Sequence, residues 1–113
     1  MLKILLIDDD QDHNKILKVF IEKHGHKVLI ATNANDGYQI VEENTDLDLI
    51  LIDDIMPIMT GTELREKIKA NLKNPPPMYI LTGQTDYNKG YESNVLYKPI
   101  KNEDLEEILQ FLC

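Results

Sequence analysis

Asp8 and Asp9, Asp53, and Lys98 each follow a short apolar run: Ile4-Leu5-Leu6-Ile7, Leu49-Ile50-Leu51-Ile52 and Val95-Leu96-Tyr97. Carboxylates and an ammonium are side chains that handle phosphoryl groups. The first hold a divalent cation or attack phosphorus, and the second pairs with a phosphoryl oxygen. If the runs are neighbouring parallel strands, their carboxyl ends open into one crevice, where open α/β sheets bind ligands. Like charges a few ångströms apart repel by roughly 3 to 4 kcal/mol per pair at an effective dielectric near 20, so three ionised carboxylates there require a cation. Mg²⁺ suits the donors, because it takes oxygen ligands and combines one or two carboxylates with waters and substrate phosphate. A carboxylate beside it can attack phosphorus and form an acyl phosphate. Lys98 would then pair with one phosphoryl oxygen, and Thr82, ending another apolar run, would donate its hydroxyl to a second. The added charge can pull Thr82 and its loop inward, which gives the site two states.

The elements that must position these residues are legible in the periodicity. Leu2 to Ile7, broken only by Lys3, reads as a strand covered on both faces. Ile16, Leu17, Phe20 and Ile21 recur at helical spacing, and Gly25 supplies a stop. Val28 to Ala31 is a second strand. Asn35 is positioned to cap a helix through Tyr38, Ile40 and Val41, which Gly37 weakens. Leu49 to Asp53 is the third strand, and Pro57 and Gly61 mark a loop. Leu64, Ile68 and Leu72 line one face of a helix that Pro75-Pro76-Pro77 cannot continue. Met78 to Thr82 is the fourth strand. From Gly83 to Asn94 only Tyr87 and Tyr91 stand at i, i+4, so at most a short helix fits. Val95 to Lys98 is the fifth strand. Leu105, Ile108, Leu109 and Leu112 make a closing amphipathic helix, with Asn102 as its expected cap and Glu103 and Asp104 in its first turn. Strands alternating with helices imply a parallel sheet with right-handed crossovers, an α/β doubly wound three-layer sandwich.

The 113 residues, 42% hydrophobic and 28% charged, fit one domain with no visible linker. A formal net charge of -8 argues against direct binding of nucleic acid or an anionic membrane surface. Leu49 to Ile52 is far too short for a membrane span, and Asp8 interrupts the first run before a signal-peptide core forms. The expected setting is cytoplasmic. Cys113 has no partner for an internal disulfide and reads as an incidental thiol.

Four separated motifs, in order, resemble those of receiver domains of the two-component response-regulator family. These are Ile7-Asp8-Asp9-Asp10, Asp53-Asp54-Ile55-Met56-Pro57 with Gly61, Leu81-Thr82-Gly83, and Lys98-Pro99. The resemblance covers residues 1-113 as a single receiver domain. It implies a flavodoxin-like, five-stranded parallel sheet in the order 2-1-3-4-5, here with the fourth helix short or missing. It also implies that Asp53 is the phosphoacceptor, Asp9 a direct and Asp8 a water-mediated Mg²⁺ contact, and the Ile55 backbone carbonyl a further ligand. Thr82 and Lys98 would assist, and the Lys98-Pro99 peptide would be cis. The implied partners are a histidine kinase or histidine phosphotransfer protein and a downstream protein. The implied role is a switch that catalyses only its own phosphorylation and hydrolysis. Two departures stand out. The interval from Thr82 to Lys98 is roughly one to two helical turns shorter than usual. Val95 occupies the place of the family's switch aromatic, and Tyr97, on the same side of the strand, is its candidate substitute.

Plainer readings apply to several residues. An acidic triplet after a strand can be a solvated turn or helix cap, and Lys98-Pro99 an ordinary loop entry; only together do the motifs outweigh this. Asp54 competes with Asp53 as acceptor by residue type, but the offset to Met56-Pro57 favours Asp53 and leaves Asp54 as an exposed loop carboxylate. His13 reads as a solvated helix position. Two rival functions are a receiver-like interaction module uncoupled from phosphorylation and an aspartate-nucleophile phosphatase. For the phosphatase reading, Asp53-Asp54-Ile55 does not supply the strand-end Asp-x-Asp motif, nor the chain length a cap domain.

Overall fold

Every apolar run expected to be a strand is one. β1 (Lys3–Ile7), β2 (Lys27–Ala31), β3 (Leu49–Asp53), β4 (Met78–Thr82) and β5 (Val95–Tyr97) pair in parallel, in the order β2-β1-β3-β4-β5. The computed structural model describes residues 1–84 and 94–113. Among them, four helices cover the sheet: α1 (Gln11–Lys23), α2 (Ala34–Glu43), α3 (Gly61–Asn71) and α4 (Asn102–Leu112). The short helix expected around Tyr87 and Tyr91 lies outside the described residues.

Side chains alternate along each strand, so each strand feeds two cores. Ile4, Leu6, Leu49, Leu51, Leu81 and Leu96 pack with Leu17 and Ile21 of α1 and Leu105 and Leu109 of α4. Leu5, Ile7, Ile50, Ile52, Met78 and Ile80 pack with Val41 of α2 and Leu64 and Ile68 of α3. This explains why β1 and β3 read as unbroken apolar runs. The same alternation sorts the residues just past the strands. Asp8, Asp53 and Lys98 share the pleat of the α1/α4 core, whereas Asp54 and Thr82 share that of the α2/α3 core.

Two helix starts differ from expectation. Asn33, not Asn35, caps α2: its Oδ1 accepts from Asp36 N at 2.8 Å while its Nδ2 donates to Asp36 Oδ2 at 3.0 Å. Packing sets this earlier start, because Ala34 and Gly37 are both buried. A Cβ on Gly37 would lie 2.6 Å from Ile7 Cδ1, so the glycine that weakens the helix also lets it rest on β1. In α4, Asn102 is the first helical residue, and Lys101 occupies the cap position without a side-chain hydrogen bond. The backbone arrives extended at Lys101, one residue before the polar side chain suited to capping.

The loop from β3 to α3 is tightly built. Met59 N donates to Pro57 O at 2.8 Å, closing a γ-turn on Ile58, whose φ of 76° is uncommon for a β-branched residue. Thr60 and Glu63 form a reciprocal capping box at the start of α3. Gly61 N donates to Asp54 O at 2.9 Å, and a Cβ on Gly61 would stand 2.4 Å from Asp53 O. Only glycine lets α3 begin against the turn that carries Asp53.

Candidate functional site

β1 and β3 are neighbours, so their ends bring the acids together. Carboxylate oxygens of Asp8, Asp9 and Asp53 all lie within 4.8 Å of one another. Asp8 and Asp53 are buried and Asp9 is exposed. Lys98, just beyond β5, reaches across β4's end to place Nζ 2.5 Å from Asp53 Oδ1. These groups line a crevice of about 260 Å³ together with Asp10, Asp54, Ile55 and Gly83. The Lys98-Pro99 peptide is cis.

Asp8 is held on every side. Its Oδ1 accepts from Asp10 N at 2.9 Å and its Oδ2 lies 2.8 Å from His13 Nδ1. A carboxylate can only accept, so Nδ1 carries the hydrogen. Asn14 Nδ2 donates to the Asp8 carbonyl at 2.8 Å. The expectation of a solvated His13 is therefore corrected: the ring is half-buried against Asp8. Asp10 caps α1 by accepting from Asp12 N and His13 N, and this first turn folds the ring back over the end of β1.

The electrostatics follow from crowding. Burial pushes the Asp53 carboxyl above its ordinary value, and Asp8 and Asp9 push the same way against the opposing hydrogen bond and charge of Lys98. Burial would also raise Asp8, but the His13 hydrogen bond, the Asp10 N–H and the positive charges of Lys98 and His13 together hold it below the usual range. Burial would lower Lys98, yet its hydrogen bond and attraction to Asp53, with help from Asp8 and Asp10, keep it raised. A cluster of anionic oxygens beside the Lys98 ammonium is the donor chemistry of a hard divalent cation.

Asp54 also departs from expectation. It is 6% exposed, and its Oδ2 accepts from Thr82 Oγ1 at 2.9 Å. Strand register accounts for this: Asp53 pairs with Leu81, so the next residues, Asp54 and Thr82, stand side by side on one pleat. Thr82 Oγ1 in turn accepts from Gln84 N at 3.1 Å. At β5, Leu96 is buried and Tyr97 is exposed, on the same side as half-buried Val95. The side chain of Ile55 is exposed at the rim.

Comparisons with known proteins agree with this architecture. The family model of the response regulator receiver domain matches residues 4–110. A hybrid signal transduction histidine kinase M of Dictyostelium discoideum is 33% identical over 98% of this chain. The autoinducer 2 sensor kinase/phosphatase LuxQ of Vibrio vulnificus is 32% identical over 97% of it. The chain spans only 5% and 14% of the lengths of these relatives. Among solved structures, a response regulator receiver domain protein from Clostridium thermocellum superposes with a TM-score of 0.88 at 28% identity, covering 99% of this chain and 94% of that one.

Proposed function

Because this chain belongs to the response-regulator receiver family, we propose that it accepts a phosphoryl group on Asp53 from the phosphohistidine of a histidine kinase or histidine phosphotransfer protein. The observation that carries this reading is the meeting of Asp8, Asp9 and Asp53 in one crevice with Lys98 against Asp53. The relatives named as histidine and sensor kinases support a kinase as the source.

Asp8, Asp9, Asp53 and the Ile55 backbone carbonyl would hold Mg²⁺. When bound, the ion offsets negative charge on the phosphoryl oxygens. An Asp53 carboxylate oxygen attacks phosphorus; the new O–P bond belongs to an acyl phosphate, and the P–N bond breaks with its electron pair left on the donor imidazole. Lys98, already on Asp53, neutralises one phosphoryl oxygen. His13 and the Asp10 N–H keep Asp8 ionised and aimed. Thr82 donates its hydroxyl to another phosphoryl oxygen, which draws the end of β4 toward Asp53 and changes the surface a downstream protein reads. Tyr97, exposed at the end of β5, is the side chain that registers the change. Hydrolysis of the acyl phosphate resets the switch, and this cycle is the only reaction the chain performs.

The test is incubation with acetyl phosphate and Mg²⁺ followed by intact mass measurement. Native protein is expected to gain one phosphoryl mass, and Asp53→Asn, or native protein in EDTA, none. Equal gain by Asp53→Asn would move the acceptor elsewhere.

A further inference from the structure

We propose that Asp54 is a positioning residue that sets the threshold of the switch by competing with the phosphoryl group for the single hydroxyl proton of Thr82. This rests on the reading above in which Thr82 donates to a phosphoryl oxygen on Asp53.

A threonine hydroxyl has one hydrogen and two lone pairs. In this structure the hydrogen is committed to Asp54 Oδ2 at 2.9 Å, and a lone pair accepts from Gln84 N at 3.1 Å. Thr82 is 1% exposed and Asp54 6%, so water does not compete for either group on equal terms. The pair is fixed by the sheet: Asp54 N donates to Leu81 O at 2.8 Å, which locks the register that stands Asp54 beside Thr82. Asp53 emerges on the opposite pleat, with Asp8 and Lys98. The resting hydroxyl is therefore engaged by Asp54 and not by Asp53.

Switching must break the bond to Asp54 before the hydroxyl can serve the phosphoryl group. It also leaves a nearly buried carboxylate without that donor, which penalises the switched state. The carboxylate that cannot act as acceptor of phosphorus thus governs how readily Thr82 answers when its neighbour does. Since the competition is for one proton, the effect of Asp54 must vanish when Thr82 has no proton to give. A merely structural role for Asp54 would persist.

The experiment titrates the protein with beryllofluoride in saturating Mg²⁺ while following the methyl and amide signals of the residue at position 82 by NMR, in native protein, Asp54→Leu, Asp54→Asn, Thr82→Val and Thr82→Val combined with each Asp54 variant. Leucine keeps the branching at Cγ but is bulkier and accepts nothing; asparagine is nearly isosteric, retains a weaker, neutral acceptor and serves if the leucine variant fails to fold. The midpoint is expected to fall on the order of tenfold in Asp54→Leu and by less in Asp54→Asn, since a hydrogen bond to a charged group is lost or weakened. In the Thr82→Val background the Asp54 substitutions are expected to leave the midpoint unchanged. An unchanged midpoint and unchanged Thr82 methyl response in both Asp54 variants would overturn the proposal, as would equal effects with and without the threonine hydroxyl. Native protein that does not respond to beryllofluoride, or Thr82→Val that responds as native protein does, would instead overturn the underlying role of Asp53 or Thr82.

Discussion

The two edges of the sheet treat charge in opposite ways. At the amino edge Lys3, Asp46, Asp48 and His26 each meet a complement. Lys3 Nζ lies 2.8 Å from Asn44 Oδ1 and 2.9 Å from Asp46 Oδ1, Lys3 N donates to Asp48 Oδ2 at 2.8 Å, and Leu2 N donates to His26 Nδ1 at 3.0 Å. At the carboxyl edge three carboxylates crowd within 4.8 Å around one ammonium. The amino edge is what folding alone selects, with complementary pairs in exposed or half-buried positions. The carboxyl edge opposes folding and is tolerated at the ends of β1 and β3, which are buried on both faces. Uncompensated charge at one end of an otherwise well-paired sheet is the physical mark of a site arranged for a ligand.

Removing the ammonium should break this contrast most strongly. Lys98→Met leaves Asp53 without its ion-pair partner and takes a positive charge away from Asp8. Breaking a buried ion pair from one side costs several kcal/mol, and because the Lys98 side chain is 31% exposed the loss is reduced to about 2 kcal/mol. For a domain near this size that is a fall of roughly 8 °C in Tm in EDTA. Mg²⁺ should restore more of the loss in the variant than it adds to native protein, because the ion replaces missing positive charge. Phosphoryl incorporation from acetyl phosphate should drop on the order of a hundredfold, the usual effect of deleting one charge-stabilising donor. Thermal melts with EDTA and with Mg²⁺ check the first two expectations, and mass spectrometry the third. Melts insensitive to Mg²⁺ in both proteins would show that the edge holds no cation.

Neutralising the acceptor should act in the opposite direction. Burial, with Asp8 and Asp9, raises the Asp53 carboxyl above its ordinary value of 3.8. A raised carboxyl favours the fold while protonated; that contribution is complete below pH 3.8 and is lost as pH rises through the folded value. At pH 7 in EDTA native protein therefore carries a cost that Asp53→Asn lacks. The variant should melt higher by on the order of 1 kcal/mol, roughly 4 °C, after allowing for the ion pair with Lys98 that it gives up. The advantage should shrink as pH is lowered toward 3.8. Asp8, held below the usual range, works the other way, contributing above 3.8 and failing as pH falls further, but both proteins share it. Mg²⁺ at tenfold its Kd should stabilise native protein by about 1.4 kcal/mol and so cancel the variant's lead. A variant that melts lower than native protein at every pH would mean that the Lys98 pair outweighs the crowding.

The contrast between edges was partly readable in the residues. Strand positions followed from apolar runs bounded by turn residues, and acids or a lysine at run ends were enough to place Asp8, Asp9, Asp53 and Lys98 at one crevice. Helix caps were harder, because both Asn33 and Asn35 have capping chemistry and only the burial of Ala34 and Gly37 against the sheet decides between them. Asp54 and His13 were misread for a related reason. Each is defined by a partner that local periodicity does not name: Thr82 lies 28 residues from Asp54, and Asp8 lies five residues from His13 around a capped turn. For Asp54 a signal did exist. Continuing the strand alternation by one residue places Asp54 and Thr82 on one pleat, once β3 and β4 are known to be neighbours in that register. Register is a tertiary quantity, which is why composition and spacing alone did not reveal it.

The amino edge supplies the smallest effect and the sharpest control. Lys3→Met removes the pair with Asp46 and the hydrogen bond to Asn44 but leaves Asp46, 70% exposed at its side chain, free to hydrate. Exposed pairs of this kind contribute little and are screened by salt, so Tm should change by no more than about 2 °C and by less at high ionic strength. The variant's response to Mg²⁺ should match that of native protein, since no carboxylate of the crevice is touched. A large loss at Lys3 would mean that the amino edge is strained as well, and the imbalance at the carboxyl edge would cease to single out a site. A small loss with an intact Mg²⁺ response ties the charge conflict to the end of the sheet where Asp53 stands.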